Sequence, residues 1–201
     1  MLSKQIINYC EDNFQSSKQI LKIIFEYKRL LLSENLKMNL IGKNTEKDFD
    51  QRHILDCIQI HSYIGDHRNR ILDVGTGAGL PGVLLAILGF KNVHLVEKSA
   101  KKSNFLNKCK IRLGIDFSVH NEFIEKLKLP KFESVVARAF APIIKIISST
   151  KHITDSKTNY ILLKGKSYLN ELDLVNHNKF NWELYPSLTS TESKIIVLNS
   201  K

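Results

Sequence analysis

The sequence lacks the features of an exported or membrane-spanning protein. Among its 201 residues, no apolar run approaches the roughly 20 residues that a membrane span requires. The opening residues, Met1 to Ile6, contain no apolar stretch of the length that a signal peptide needs. We therefore expect a cytoplasmic protein with no membrane partner.

Cysteine is scarce as well. Cys10, Cys57 and Cys109 are odd in number and far apart in the chain, which fits neither a disulfide framework nor a zinc cluster. We expect three buried or half-buried thiols and no metal site. Internal repeats and low-complexity segments are also absent, and nothing in the sequence indicates an obligate protein partner.

Acidic residues are few relative to basic ones. The chain has 30 Lys and Arg against 20 Asp and Glu, a formal charge of +10. Such an excess favours a polyanionic partner, because Lys and Arg release counterions from phosphates when they bind. The many Lys, Asn and Ile residues are also typical of proteins from AT-rich genomes. Composition alone therefore leaves nucleic-acid binding open.

Apolar residues recur at helical spacing in the first part of the chain. The pattern predicts two helices between residues 3 and 36, broken near 15–17, and a third helix over 51–64. We therefore divide the chain into an N-terminal helical extension, residues 1–65, and one compact unit, residues 66–201.

From residue 70 onward, short β-rich runs alternate with helical ones. Strands are predicted at 71–74, 93–97, 117–120, 134–137, 160–164, 182–185 and 194–198. Helices are predicted at 81–88, 100–113 and 142–149. This alternation indicates an α/β fold with a doubly wound, mostly parallel seven-stranded sheet. Only a short turn and polar residues separate the last two strands, so we expect them to form an antiparallel pair at the sheet edge.

The most informative motif runs from Ile71 to Gly82. It reads as a buried strand, then a glycine-rich turn, then the start of an apolar helix. Gly75, Gly77 and Gly79 permit the positive φ and close backbone approach that such a tight turn requires. The helix beyond aims free N–H groups at whatever lies above the turn. This order of parts predicts a nucleotide-cofactor site.

Two acidic residues distinguish between candidate cofactors. Asp73 lies directly before the turn, where a carboxylate repels a dinucleotide pyrophosphate and attracts the sulfonium and amino group of S-adenosyl-L-methionine (SAM). Glu97 ends the next predicted strand, at the carboxyl edge where an acid accepts hydrogen bonds from ribose hydroxyls. The simpler interpretation of Glu97 is a solvated acid at a strand end. Together with the turn, the two acids favour SAM.

A dinucleotide-dependent oxidoreductase is the alternative, because residues 77–82 also satisfy the pattern G-x-G-x-x-G. That pattern normally opens directly at the end of the strand, whereas here it begins three residues after Val74. Only about 120 residues follow the turn, and the sheet already uses them. Little remains for a separate substrate domain.

Several motifs together resemble one known family. They are Asn39-Leu40, Arg52-His53-Ile54-Leu55-Asp56, the segment from Asp73 to Gly82, Lys101-Lys102 with Phe105-Leu106, the segment from Ala137 to Ala141, and Leu163-Lys164-Gly165. In this order and spacing, the sequence resembles the ribosomal RNA small subunit methyltransferase G family, also called glucose-inhibited division protein B. The resemblance extends from about Asn39 to Glu171.

The resemblance implies a SAM-dependent enzyme that methylates N7 of a guanine in 16S rRNA, near the decoding site. It implies that Gly75 and Leu80 line the cofactor, that Phe123 and Ile124 flank its adenine, and that Arg138 touches the site. The family usually has Arg-x-Glu where this chain has Glu122-Phe123-Ile124. Contacts of the backbone with adenine would survive this difference.

Methylation at guanine N7 requires no catalytic acid or base, because N7 has an exposed lone pair and no proton. We therefore assign no catalytic residue. His53 is interpreted either as a satisfied helix-terminus histidine or, with Arg52, as a contact to RNA or a brace for the cofactor loop. Arg138 is expected to bind guanine O6 or a phosphate, or else to pair with Asp73 or Glu97.

Basic residues predicted to meet RNA phosphates form a ring around the expected pocket. The RNA-binding candidates are Arg52, His53, Lys101, Lys102, Arg138 and Lys164, with Lys43, Lys47 and Lys166 on the same rim. Lys101 and Lys102 open a predicted helix, where cations oppose the helix dipole. This unfavourable position favours a phosphate-binding role for them, and a solvated first turn of the helix is the alternative. A non-catalytic rRNA-binding assembly factor remains a third hypothesis.

Overall fold

A computed structural model describes residues 1–201, and a single sheet forms its centre. The strands are β1 (Arg70–Val74), β2 (Asn92–Val96), β3 (Ser118–His120), β4 (Ser134–Arg138), β5 (Asn159–Lys164), β6 (Phe180–Pro186) and β7 (Lys194–Ser200). They lie in the order β3-β2-β1-β4-β5-β7-β6. The first five strands pair in parallel, and β7 is antiparallel to both β5 and β6. The predicted fold class and the antiparallel edge pair are confirmed.

Helices cover both faces of the sheet. They are α1 (Lys4–Asn13), α2 (Ser17–Asn35), α3 (Asp56–Ile58), α4 (Gly82–Ile87), α5 (Ala100–Leu113), α6 (Ile143–Thr150) and α7 (Tyr168–Leu172). The buried apolar side chains of α1 to α5 belong to one cluster, and those of α6 and α7 belong to a second. Successive side chains of a strand point to opposite faces of the sheet. Ile71 accordingly lies in the first cluster and Leu72 in the second.

The N-terminal helices belong to the main core of the protein. Ile6 of α1 and Ile24 of α2 lie in the same cluster of buried residues as Ile71 of β1 and Val83 of α4. Residues 1–65 therefore cover one face of the sheet. All three cysteines are buried and free, as predicted. No helix combines the length and apolar character needed to cross a bilayer.

The predicted third helix is irregular. The structure has a π-helix at Asp50–Leu55, then the single turn α3, then a 3-10 helix at Gln59–Tyr63. Apolar periodicity places the buried side chains correctly, because Ile54, Leu55 and Ile58 are all buried. The predicted helix over 51–64 is thus confirmed in extent. The periodicity does not distinguish i→i+4 from i→i+5 hydrogen bonds, so it did not indicate the three helix types.

Two further details differ from the sequence-based expectation. The helix α7 was not predicted, since only five residues form it and a helix that short has no full amphipathic repeat. Strand β2 ends at Val96, so Glu97 lies just beyond the strand and not at its last position. Both differences fall at element ends, where local patterns define boundaries least well.

Candidate cofactor and substrate site

The glycine turn has the backbone conformation that its sequence predicts. Gly75, Gly77 and Gly79 have φ values of 65°, 59° and 97°, in the region that disfavours residues with a Cβ. At Gly77, the nearest heavy atom to an ideal Cβ position is the Gly75 carbonyl oxygen, 3.9 Å away. Open space therefore lies above the middle of the turn, where a ligand can approach the backbone.

Asp73 lies beneath the turn and is fully buried. Its Oδ2 accepts hydrogen bonds from the Thr76 hydroxyl at 2.5 Å and from the Gly82 N–H at 2.7 Å. Its Oδ1 has no hydrogen-bond partner. Burial raises the pKa of this carboxyl to about 6. An unpartnered buried carboxylate oxygen at this position fits a cationic group of a bound cofactor.

Glu97, just beyond the neighbouring strand β2, is hydrogen-bonded to the same turn. Its Oε2 accepts the Gly77 N–H at 3.1 Å, and its Oε1 accepts the Ser99 N–H at 2.7 Å. A carboxylate oxygen has more than one lone pair, so both atoms remain able to accept bonds from ribose hydroxyls. The sequence-based interpretation of Glu97 as a merely solvated acid was wrong, because the side chain is buried.

Sequence reasoning missed one residue that supports the turn. Tyr27 of α2 is fully buried and donates its hydroxyl hydrogen to the Ala78 carbonyl oxygen at 2.7 Å. An ideal Cβ at Gly79 would lie 3.2 Å from this hydroxyl oxygen. Tyr27 looks like an ordinary core position in the helical pattern, so nothing in the sequence signalled its contact with a turn 51 residues away.

The segment expected to flank adenine lies next to Glu97. The Asn121 side-chain amide donates to the Glu97 carbonyl oxygen at 2.9 Å. Phe123 is exposed, with the ammonium groups of Lys98 and Lys126 at 5.8 and 5.7 Å from its ring centroid. Ile124, by contrast, is buried. The adenine-flanking role of these two residues stays a prediction.

Leu80 is buried among apolar side chains of the main core. Its backbone N–H donates to the Thr76 carbonyl oxygen at 3.1 Å. Leu80 therefore shapes the end of the turn, and its predicted contact with the cofactor stays a prediction.

Arg138 ends β4 and is held by the segment that contains the π-helix. Its Nη1 donates to the Arg52 carbonyl oxygen at 2.8 Å, and its Nη2 donates to His53 Nδ1 at 2.9 Å. Asp56 Oδ2 lies 3.6 Å from Nη1. The expectation of an ion pair with Asp73 or Glu97 was therefore wrong, because the N-terminal extension brings Asp56 to the end of β4.

His53 is neutral and has both ring nitrogens engaged. Because Nδ1 accepts from Arg138, the ring proton resides on Nε2, which lies 2.8 Å from the Thr45 hydroxyl oxygen and donates to it. Burial, with the charge of Arg138, lowers the pKa of His53 to about 4. The structure thus gives His53 a bracing contact with Arg138, and it leaves no free nitrogen for a general base.

A cavity of about 860 Å³ opens beside Arg138. Arg52, His53 and Asp56 line it together with Phe140, and the connection between β6 and β7 forms another wall. Phe140 also contacts Gly75 of the glycine turn. The cavity therefore adjoins the candidate cofactor site.

The predicted basic ring is only partly available to a ligand. Lys164 lines the cavity, but its Nζ donates to the Ala141 carbonyl oxygen at 2.6 Å and pairs with Glu171 Oε2 at 2.7 Å. Lys166 lines the cavity and is exposed. Lys101 and Lys102 begin α5 as predicted but do not line this cavity. The RNA contacts of these lysines stay predictions.

Lys43 and Lys47 are both exposed, and neither lines the cavity. They lie on either side of Thr45, which does line it. Their RNA contacts also stay predictions.

The fold and the site together define a class. A parallel sheet with a glycine turn after β1, an acid under that turn and a second acid after β2 is the arrangement of a Rossmann-like, SAM-dependent methyltransferase. A comparison of folds agrees. The ribosomal protein L11 methylase of Lactobacillus delbrueckii subsp. bulgaricus has a similar structure, with a TM-score of 0.63 at 16% identity over 80% of this chain and 81% of that one.

Sequence comparison identifies the family. Residues 20–190 match the family described as rRNA small subunit methyltransferase G, and the chain belongs to that family. Similar relatives carry the name ribosomal RNA small subunit methyltransferase G. The one from Orientia tsutsugamushi (strain Boryong) is 38% identical over 96% of this chain and 97% of its own length. The one from Rickettsia prowazekii (strain Madrid E) is 33% identical over 90% and 95%.

Proposed function

We propose that this protein transfers the methyl group of SAM to N7 of a guanine in 16S rRNA of the small ribosomal subunit. The observation that carries the proposal is the glycine turn, with its unpartnered Asp73 oxygen, directly beside a large cavity that Arg138 lines. Family membership supports the enzyme class and disfavours both the oxidoreductase and the non-catalytic assembly factor.

The residues of the turn fit SAM. Asp73 would hold the methionine amino group, and Glu97 would accept hydrogen bonds from the ribose hydroxyls. The open space above Gly77 leaves room for the backbone to approach the ligand. When bound, SAM supplies an electrophilic methyl group on a positively charged sulfur.

The cavity residues orient the acceptor and need not remove a proton. Guanine N7 carries a lone pair and no hydrogen, so alignment is the main requirement for the transfer. Arg138 retains guanidinium N–H groups beyond those given to Arg52 and His53. These are placed to hold guanine O6 or a neighbouring phosphate. The engaged nitrogens of His53 are consistent with a reaction that uses no histidine base.

A methylation assay with base mapping tests the proposal. The protein is incubated with methyl-labelled SAM and with 16S rRNA or small subunits from cells that lack the gene, and the labelled position is mapped by cleavage at 7-methylguanine. We expect label at one guanine N7. Gly77→Val serves as the inactive control, because a β-branched residue at φ 59° fills the open space above the turn. Absence of transfer, or transfer to another atom, would overturn the proposal.

A further inference from the structure

Phe140 is fixed against the glycine turn. Three atoms of one side of its ring, Cδ2, Cε2 and Cγ, lie 2.1, 2.7 and 2.9 Å from the position that a Cβ of Gly75 would occupy. Only a glycine leaves room for this contact, since no side chain at position 75 is compatible with the ring where it lies. The ring is thus held in one place relative to the turn.

The backbone before Phe140 is in an unusual conformation. Ala139 has φ 51°, and it is the only non-glycine residue of the chain with a positive φ. This conformation is unfavourable for a residue with a Cβ, and it persists where the surrounding structure demands it. Here it lies between Arg138, which lines the cavity, and Phe140, which lines it too. The strained residue therefore joins two residues that line the cavity.

Part of the Phe140 ring remains uncovered. The residue is 38% exposed although it contacts the turn. It lines a cavity whose other lining groups include the Arg138 guanidinium, the Asp56 carboxylate and the Lys166 ammonium. A flat apolar surface among hydrogen-bonding and cationic groups suits a ligand that is itself flat and apolar on its face and polar at its edge. A nucleobase has this character.

We propose that Phe140 is the platform on which the target purine base stacks when it enters the cavity. The inference rests on the proposed function, because it takes the acceptor to be a base of RNA. Since the same ring touches Gly75, stacking on it places the base directly beside the cofactor turn. Arg138, two residues earlier, is then positioned to bond the edge of a base whose face lies on Phe140. Any base has a π-face, so stacking on Phe140 contributes position and affinity but does not select the base. Hydrogen bonds to the edge of the base select guanine.

Substitutions that separate aromatic character from bulk test the platform. The variants are Phe140→Leu and Phe140→Tyr, and Phe25→Leu of α2 is the matched control, since Phe25 is 37% exposed and lies outside the cavity. The measurements are kcat/KM for the RNA, the SAM Kd by calorimetry, and the melting temperature. Phe140→Leu should lower kcat/KM for RNA by roughly 5- to 150-fold, the range for loss of one base–aromatic stack. Phe140→Tyr keeps an aromatic ring and should retain more kcat/KM for RNA than Phe140→Leu. Phe25→Leu should stay within about twofold of the wild type.

Each other outcome has a distinct meaning. If Phe140→Leu weakens SAM binding as much as it lowers kcat/KM for RNA, the ring supports the cofactor turn and the platform is refuted. If Phe140→Leu keeps full activity while the wild type methylates RNA, the platform alone is refuted and the proposed function stands. A wild-type protein that transfers no methyl group to RNA would overturn the proposed function and the platform with it.

Discussion

Asp73 shows how one carboxylate serves both the fold and the site. Its Oδ2 joins Thr76 and Gly82 across the turn, whereas its Oδ1 has no partner. An asparagine retains an acceptor for the first oxygen and removes the charge from the second. Asp73→Asn should therefore weaken SAM binding by about 1.5–3 kcal/mol, the usual contribution of a charged hydrogen bond, with a smaller change in melting temperature.

Calorimetric titration with SAM measures this effect. Asp50→Asn is the control, because Asp50 is a largely buried acid that is paired with Lys28 at 2.5 Å and lies away from the turn. Its SAM Kd should match that of the wild type. Equal SAM affinity in Asp73→Asn and wild type would show that the carboxylate charge does not hold the cofactor.

Arg138 combines a structural and a substrate role, and two substitutions separate them. Arg138→Ala strands the Asp56 carboxylate and the His53 Nδ1, so it should lower the free energy of unfolding by about 1–3 kcal/mol. Arg138→Lys keeps the charge but not the geometry of several directed bonds. It should retain more stability and still lower kcat at saturating SAM at least about tenfold. Urea unfolding and single-turnover methylation measure the two effects.

Wild-type turnover in Arg138→Lys would show that the guanidinium geometry does not orient the base. Wild-type stability in Arg138→Ala would show that the contacts with Asp56 and His53 contribute nothing to folding. The sequence predicted Arg138 as a site residue, but not these partners. Partners more than 80 residues away depend on how the extension packs, which no local pattern encodes.

At the scale of elements, α2 acts on the cofactor turn through Tyr27. Tyr27→Phe removes the bond to the Ala78 carbonyl oxygen, and the unpaired carbonyl loosens the turn. We expect SAM affinity to fall by about 0.5–1.5 kcal/mol, the net contribution of one hydrogen bond, with kcat at saturating SAM near the wild type.

Tyr160→Phe is the matched control for this prediction. Tyr160 is also buried and its hydroxyl is bonded to Thr154, but it lies in the apolar cluster on the other face of the sheet. Both variants should lose similar stability, and only Tyr27→Phe should raise the SAM Kd. If the SAM Kd rose equally in both variants, Tyr27 would have no specific effect on the cofactor turn.

Local patterns predicted the elements well and their internal geometry poorly. Short β-rich runs between helical segments identified all seven strands, because each strand has one or two buried faces. The glycine turn was predictable for a similar reason, since its φ values require glycine. The π-helix at Asp50–Leu55 was not, because apolar periodicity does not distinguish i→i+4 from i→i+5 hydrogen bonds.

At the scale of the whole molecule, the division into an extension and a compact unit describes the sequence better than the packing. Ile6, Ile24 and Tyr27 are fully buried in the same cluster as the glycine turn's Ala78. The extension therefore supplies one wall of the core and, through Asp56, one wall of the cavity. The sequence pattern changes near residue 66, from helical to alternating β-rich and helical runs. The buried cluster nevertheless includes residues from both sides of that boundary.

Stability should fall in mild acid because of buried histidines. Burial lowers the pKa of His53 and of His94 to about 4, and His94 Nδ1 lies 3.0 Å from His120 Nε2 in a shared hydrogen bond. An unfolded histidine takes up a proton near pH 6.5. The stability that these neutral histidines provide is therefore full above pH 6.5 and is lost as the pH falls toward 4.

Asp73 acts in the opposite direction. Its pKa rises from 3.8 to about 6 on folding, so its contribution is greatest at low pH and is lost as the pH rises through 6. Burial also lowers the pKa of His61 and His120 and raises that of Asp56. With four such histidines against two aspartates, the melting temperature should decrease from pH 6.5 to pH 4. His94→Gln should flatten this decrease and Asp73→Asn should steepen it. A melting temperature that rises on acidification would contradict the assignment of these groups.

If the protein delivers a methyl group to N7 of guanine, replacement of that one atom should abolish the transfer. Small-subunit RNA is prepared with guanosine or with 7-deazaguanosine, which has a C–H in place of N7 and keeps the Watson–Crick edge. Methyl transfer from labelled SAM is then measured for both. We expect transfer to the guanosine RNA and none to the 7-deazaguanosine RNA, although both bind. Equal transfer to the two RNAs would contradict it.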